Sequence, residues 1–365
     1  VPAEPTGVGP ALVVLPPGHY RVTESLKMDH RHGLIVIRGT GGVDTFGANP
    51  IDPKRRRRPR AATQIVWDGP EGGTLFDIWG AGGLQMHDLG LIGSGKAGVL
   101  IGVNSPRAHG AGRYTFERMT LVGAEVGFET GNDSHINSAD MTFLDVHFVR
   151  LKTGFRTMSV QNVDFTFIRP RIIGCELGLH FHKGGNAEAN SLFGIGVKEV
   201  VRIDSGGINA GTFFFSNMRI DVNNSFKDPE TGIAPRSIIL RAKGETNVKF
   251  SALDVICGNA MRGDRTTPAF ILGPHANVSV ESSMISGKVA ELTGRPDAPP
   301  TWIQFDNCRF RVFSDPREIE HDAASGFELR NCVIVEDEKV DGKYVQKRNV
   351  FVPHFAKYPS QAGEE

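Results

Sequence analysis

The chain has 365 residues, with 41 Lys and Arg against 41 Asp and Glu, so its formal net charge is zero and no global field favours nucleic acid or an anionic membrane surface. No apolar stretch approaches the roughly 18 residues that a membrane-crossing helix needs. Four cysteines are too few for a disulfide framework.

The chain opens on Val1, with no charged-then-apolar leader, which predicts that a signal peptide or an upstream segment has been removed and that the protein works outside the cell, at its surface or in the periplasm. Residues Val13 to Val22 read as a strand, a Pro-Gly turn and a second strand. Strands at Leu34–Arg38 and Thr63–Trp67 follow. Between them lies Lys54-Arg55-Arg56-Arg57-Arg58-Pro59-Arg60, a basic run amid prolines; without interleaved aromatic residues it reads as a solvated loop and not as a nucleic-acid contact.

From Met86 onward a six-residue pattern, apolar-x-x-apolar-x-apolar, recurs about every 25 residues. Copies begin at Met86, Phe116, Phe143, Phe167, Leu192, Phe215, Phe250, Val280, Phe305 and Leu329. Such a period marks a solenoid, in which each repeat buries its apolar face by stacking on its neighbours. The second residue of the gap is Asp88, Asp145, Gly194, Asn217, Asn307 or Asn331 in six copies, types that tolerate left-handed backbone angles, so the gap is a tight turn between two strands. A third strand, usually opened by glycine, completes each repeat at Gly98, Gly127, Gly154 and Gly178. Three strands per coil make a parallel β-helix. The pattern predicts that Phe116, Phe143, Phe167, Leu192 and Phe215 form one interior column. Cys308 and Cys332 share a repeat position and should be stacked, buried thiols in preference to a disulfide.

Length alone suggests two domains, but the repeat runs on without a break and predicts one all-β domain: irregular opening coils over 1–83, regular coils over 84–340 and a tail over 341–365.

The run Leu15-Pro16-Pro17-Gly18-His19-Tyr20-Arg21-Val22, the strand ending Arg38-Gly39-Thr40-Gly41, and Thr63-Gln64-Ile65 resemble the opening of the pectate-lyase-like right-handed β-helix superfamily, which includes polysaccharide lyases, glycoside hydrolases and phage tailspikes. The resemblance covers nearly the whole chain as architecture and specifies fold, not reaction. Residues 1–11 are too short and too rich in Pro and Gly for the capping helix usual there. The Arg-x-Pro-x-x-Arg of calcium pectate lyases and the Asn-Thr-Asp, Gly-His-Gly and Arg-Ile-Lys motifs of polygalacturonases are missing from the sequence, so neither chemistry carries over.

Function is therefore read from the outward side of the glycine-opened strand, since one stacked sheet of a solenoid supplies its binding surface. Alternation puts Glu129, Arg156, His180 and Arg202 outward on successive coils, with Arg241 farther along. A second column reads Gly131, Met158, His182 and Asp204, with Lys183 at its edge and Asp133 and His135 in the following corner. Arg156, His180 and Arg202 follow one another with no acid between them in that column, an order that suits an anionic ligand. The long segments Asp221–Arg236, Cys257–Pro268 and Ser286–Pro300 should wall this face as insertions before it.

These residues point to a polysaccharide lyase acting on a uronate-containing polymer by β-elimination. Arg156 and Arg202 would hold the sugar carboxylate, His180 or Lys183 would act as base, and His182 or His135 as acid. The alternatives are a glycoside hydrolase using carboxylates drawn from Glu129, Asp133 and Asp204, or a trimeric, tailspike-like glycan-binding fibre at a virion surface. The partner in each case is a glycan, the protein being a monomer or a homotrimer. His180 and His182 could begin a metal site, but no third ligand at a defined spacing accompanies them, so no metal or cofactor is assigned; calcium is compatible but not indicated.

Overall fold

The computed structural model describes residues 10–41, 63–104, 111–131, 138–204, 211–221, 237–256, 267–311, 314–340 and 343–359. They contain no α-helix; apart from one short 3-10 turn at Pro316–Glu318 the regular structure is strand. The basic run Lys54–Arg60, Asp133, His135 and most of the predicted wall segments lie outside the described residues.

The chain forms two compact units, residues 1–176 with 183–185 and residues 177–182 with 186–365. Each is built from the same coil. In the first unit, strand Ala111–Glu117 turns tightly into Thr120–Val122, and Val126–Thr130 closes the coil. Each of the three then pairs in parallel with its counterpart in the next coil: Phe116 with Phe143, Leu121 with Phe148, Phe128 with Phe155. The second unit repeats this with Gly211–Ser216, Arg219–Asp221 and Ile238–Ala242, in register with Thr246–Ser251, Asp254–Ile256 and Phe270–Leu272. This is the parallel β-helix expected from the 25-residue period.

The tight turns explain why the pattern is so regular. The residue before the second strand has a positive φ at Asp88, Arg118, Asp145, Arg169, Asn217, Ala252, Ser282, Asn307 and Asn331. Side chains with a β-carbon rarely adopt this conformation. At two of these positions an arginine reaches back one coil to the aspartate of the preceding turn: Arg118 Nε donates to Asp88 at 2.6 Å and Arg169 Nε to Asp145 at 2.7 Å. At the closing strand, a β-carbon on Gly127 would lie 2.6 Å from the Gly154 carbonyl oxygen, which accounts for the recurrent glycine there.

The interior of the first unit is an aromatic lattice. Phe116, Phe143 and Phe167 stack face to face at 5.1 and 4.8 Å between ring centroids. Phe128 and Phe155 form a second stack at 5.6 Å and meet the first edge-on, Phe128 against Phe143 at 5.0 Å. The predicted column is correct through Phe167 and wrong at its fourth member. In the fifth copy the left-handed residue is Ser191, not Gly194, so the pattern there is Ala189, Leu192, Gly194. Ala189 pairs with Phe215 and Gly194 with Ile220. Leu192 therefore follows the turn instead of preceding it. The error arose because this copy carries alanine and glycine where the others carry large side chains, so the nearest hydrophobic triplet lay three residues too far along.

At the C-terminal end, Ser325–Val340 pairs in parallel with Thr301–Asp306 and antiparallel with Lys343–Lys357. Most of the segment expected as a tail is thus an edge strand. Pro353 lies on that strand, a residue type confined to sheet edges because it has no N–H to donate to a further ladder. The third wall segment, Ser286–Pro300, is likewise not one insertion: it contains the face strand Ala290–Leu292, paired with Phe270–Leu272. Cys308 and Cys332 are free, buried thiols donating to the Val280 and Phe305 carbonyls at 3.3 and 3.5 Å, as the repeat predicted. Cys175 is free as well, and burial pushes its thiol up to about 12.

Candidate functional site

The face strands carry the outward residues that alternation predicts. In the first unit, Val126–Thr130 and Thr153–Thr157 set Glu129 opposite Arg156. In the second, Leu177–Phe181, Glu199–Ile203 and Ile238–Ala242 set His180, Arg202 and Arg241 side by side. Beneath them Leu179, Val201, Ile203, Leu240 and Phe181 are fully buried. The outward side chains therefore stand on a packed floor.

In the first unit the chemistry is one ion pair. Arg156 donates through Nε to Glu129 Oε2 at 2.6 Å and through its terminal nitrogen to the same oxygen. Lys183, also of this unit, is exposed, its backbone N–H donating to Thr157 O at 3.4 Å.

The second unit holds a denser cluster, and two members of it escaped the sequence reading. Glu199, at the start of its strand, accepts from Arg202 Nε at 2.7 Å and from its terminal nitrogen at 2.6 Å, and also from Arg241 Nε at 3.3 Å. Its side chain is only 7% exposed. Glu199 falls on the inward phase of its strand, where its paired neighbours are Leu177 and Ile238. An acid interrupting an aliphatic position is the signal that marks it. Lys243 extends the second outward column by one coil beyond Asp204, and its Nζ lies 3.3 Å from Asp204 Oδ1.

Asp204 is the hub. Its Oδ2 lies 2.9 Å from His180 Nε2 and 3.8 Å from His182 Nδ1. The two imidazole rings meet edge to face at 5.3 Å. Burial lowers the His180 pKa below its ordinary 6.5, outweighing the opposing pull of Asp204. Burial would by itself raise Asp204, but the His180 hydrogen bond and the Lys243 charge prevail and hold it below the usual carboxylate value. At neutral pH the pair is thus a neutral imidazole donating Nε2–H to an ionised carboxylate. The Glu199 hydrogen bonds raise Arg202 above its ordinary value, fixing it as a cation.

One premise of the sequence reading is corrected here. Arg156, His180 and Arg202 are not cations left without acids: Glu129, Asp204 and Glu199 lie within hydrogen-bonding distance of them. Glu129 is the neighbour of Arg156 in the same column, whereas Asp204 and Glu199 sit one column or one strand end away, out of sight of a count along that column. Asp204 also joins His180 and His182 as a third group with metal-ligating atoms, which no fixed sequence spacing revealed.

No protein-family model matches the sequence, and no curated protein matches it. Solved structures do match. The catalytic domain of a GH87 α-1,3-glucanase in complex with tetrasaccharides superposes with a TM-score of 0.50 at 12% identity, over 85% of this chain and 63% of that one. The fold is a right-handed parallel β-helix. DFA-IIIase from Arthrobacter chlorophenolicus A6 in complex with GF2 matches with a TM-score of 0.48 at 10% identity over 86% of each chain. ORF18 of Geobacillus virus E2 matches at 0.46 and 10% identity, over 93% of this chain and 57% of that one. At such identities the likeness concerns fold alone, and the chain spans under two thirds of the length of the glucanase domain.

Proposed function

We propose that this β-helix protein is a carbohydrate-active enzyme that holds a neutral glycan along the face strands of its second unit and hydrolyses it. The observation that carries this reading is the pairing of the face cations. β-Elimination requires a uronate, whose carboxylate must be met by a cation free to neutralise it. Arg202, Arg241 and Lys243 are each engaged by Glu199 or Asp204. Paired charges of this kind offer hydrogen bonds to sugar hydroxyls without selecting for charge. The α-1,3-glucanase named above, a chain of similar fold, is a complex with tetrasaccharides, which supports the choice of a glycan as ligand.

In the proposed reaction Asp204 orients His180, whose Nδ1 takes a proton from the attacking water, and the ionised Asp204 stabilises the imidazolium that forms. His182, 5.3 Å away ring to ring, is placed to return a proton to the leaving oxygen. Arg202 and Arg241, splayed around Glu199, would position the chain. A polymer substrate of this kind places the site of action outside the cell.

One observation favours elimination as a second reading: Arg202, Arg241 and Lys243 outnumber Glu199 and Asp204 by one, leaving one cation in excess of the acids. A panel of neutral and uronate-containing polysaccharides separates the readings. Hydrolysis releases reducing ends without new ultraviolet absorbance. Elimination produces both, and a purely glycan-binding fibre produces neither.

A further inference from the structure

We propose that His180, His182 and Asp204 bind a divalent transition cation, zinc in type, through Nε2, Nδ1 and Oδ2, leaving a fourth position for water or a sugar oxygen. The inference takes its location from the functional reading above and changes its chemistry: with the ion bound, His180 would carry its proton on Nδ1 and serve as a ligand, and the base would be the ion-held water instead. Its first support is geometric. With zinc–nitrogen and zinc–oxygen bonds of about 2.0–2.1 Å, the edge of a tetrahedral site is about 3.3 Å. The Asp204 oxygen lies 2.9 Å from one imidazole nitrogen and 3.8 Å from the other, values that bracket that edge, and all three ligand atoms fall within 4.8 Å of one another.

The donor set decides the metal class. Two imidazoles and one carboxylate suit zinc and its transition neighbours, whereas calcium and magnesium take oxygen ligands in larger number. Three protein ligands with one open position is the arrangement of catalytic zinc sites. The surroundings are already those of a supported ligand: Lys243 engages Oδ1 of Asp204, which turns Oδ2 towards both histidines. His180 sits on strand Leu177–Phe181 and His182 follows it directly, while Asp204 follows the paired strand Glu199–Ile203, its backbone N–H donating to Phe181 O at 3.0 Å. The backbone positions are therefore set by the coil and not by a loop. Ligation through His180 Nε2 requires the tautomer with its proton on Nδ1, so the hydrogen bond to Asp204 is exchanged for two bonds to one ion.

The test uses the whole chain, stripped with a chelator, and zinc chloride without any glycan. Titration calorimetry and elemental analysis should give one zinc per chain, and cobalt chloride should give the visible spectrum of a four-coordinate ion. His182→Ala should weaken zinc binding by at least about 100-fold, since loss even of a group that only orients a ligand costs about 10–100-fold. His182 is 41% exposed, so this variant should keep the parent thermal midpoint. Lys243→Met should tighten binding, because it removes a like charge beside the ion. No binding by the parent chain, or binding unchanged in His182→Ala, overturns the inference. Because these readouts need no substrate, zinc binding without glycan turnover would sink the hydrolase reading alone, and turnover by chelator-treated protein that binds no zinc would sink this one alone.

Discussion

The face of the first unit around Glu129 and the face of the second around Asp204 are built from the same strand in the same register, yet they differ in kind. At the first, one carboxylate meets one guanidinium on the adjacent strand and the charge is closed. At the second, Asp204 is shared by His180, His182 and Lys243, while Glu199 bridges Arg202 and Arg241. The difference traces to a few positions. Where the first unit opens its face strands with Val126 and Thr153, the strand beginning at Glu199 opens with an acid, and Asp204 follows its last residue. A repeat that fixes the scaffold leaves the outer residues free, and shared carboxylates are how the second face departs from ordinary surface pairing.

Several changes sharpen or break that contrast. The largest should come from beneath the first face, where Phe143 touches four other rings. Phe143→Ala should cost about 3–5 kcal/mol in a denaturant titration, through the cavity it leaves. A loss below about 1 kcal/mol would show that the lattice does not hold that unit together. Next comes Glu199→Ala, which strands two neighbouring guanidinium groups. Each keeps about a third of its side-chain surface in water, so the expected cost is about 1–2 kcal/mol, towards the low end for a lost charged partner. Glu129→Ala, by contrast, should cost under about 1 kcal/mol. Equal costs would erase the distinction between the faces.

Acid should also separate the two faces. The folded pKa of His180 is depressed, so the folded state binds fewer protons than the unfolded chain, and this contribution to stability is present above 6.5 and lost as pH falls below it. The depressed Asp204 acts in the same direction at lower pH: its contribution is present above 3.8 and lost as pH falls through its folded value. Proton-detected titration of His180 by NMR checks this, and a midpoint above 6.5 would contradict it. A further modest effect concerns the shifted repeat. A β-carbon on Gly194 would lie 2.8 Å from Ile220 Cδ1, the end of a flexible side chain, so Gly194→Ala should cost about 1 kcal/mol or somewhat more. The same change at Gly82, which has open space around it, should cost less, and equal losses at the two positions would contradict the inward placement of Gly194 against Ile220.

Much of this fold could be read from the sequence because its interior translates: each inward position sees the same neighbour one coil away, so Phe116, Phe143 and Phe167 announce one another. That logic failed where Ala189 and Gly194 fill the inward positions, since small side chains leave no hydrophobic mark. On the face, alternation placed His180, Arg202, Arg241 and Asp204 correctly outward. It could not show which acid each cation would find, because side-chain reach crosses columns: Asp204 reaches diagonally to His180, and Glu199 lies at a strand end where inward and outward no longer alternate strictly.

The central claim is that the shared-carboxylate face, and not the closed pair, does chemistry on a glycan. It is tested most directly by comparing Asp204→Asn and Glu129→Gln for reducing-end release from whichever glycan the parent protein degrades. The account predicts a loss of at least about 10²-fold in kcat for Asp204→Asn, the lower end of what a positioned acid–base pair supplies, with near-parent turnover for Glu129→Gln. Full activity in Asp204→Asn, or a loss confined to Glu129→Gln, would contradict it.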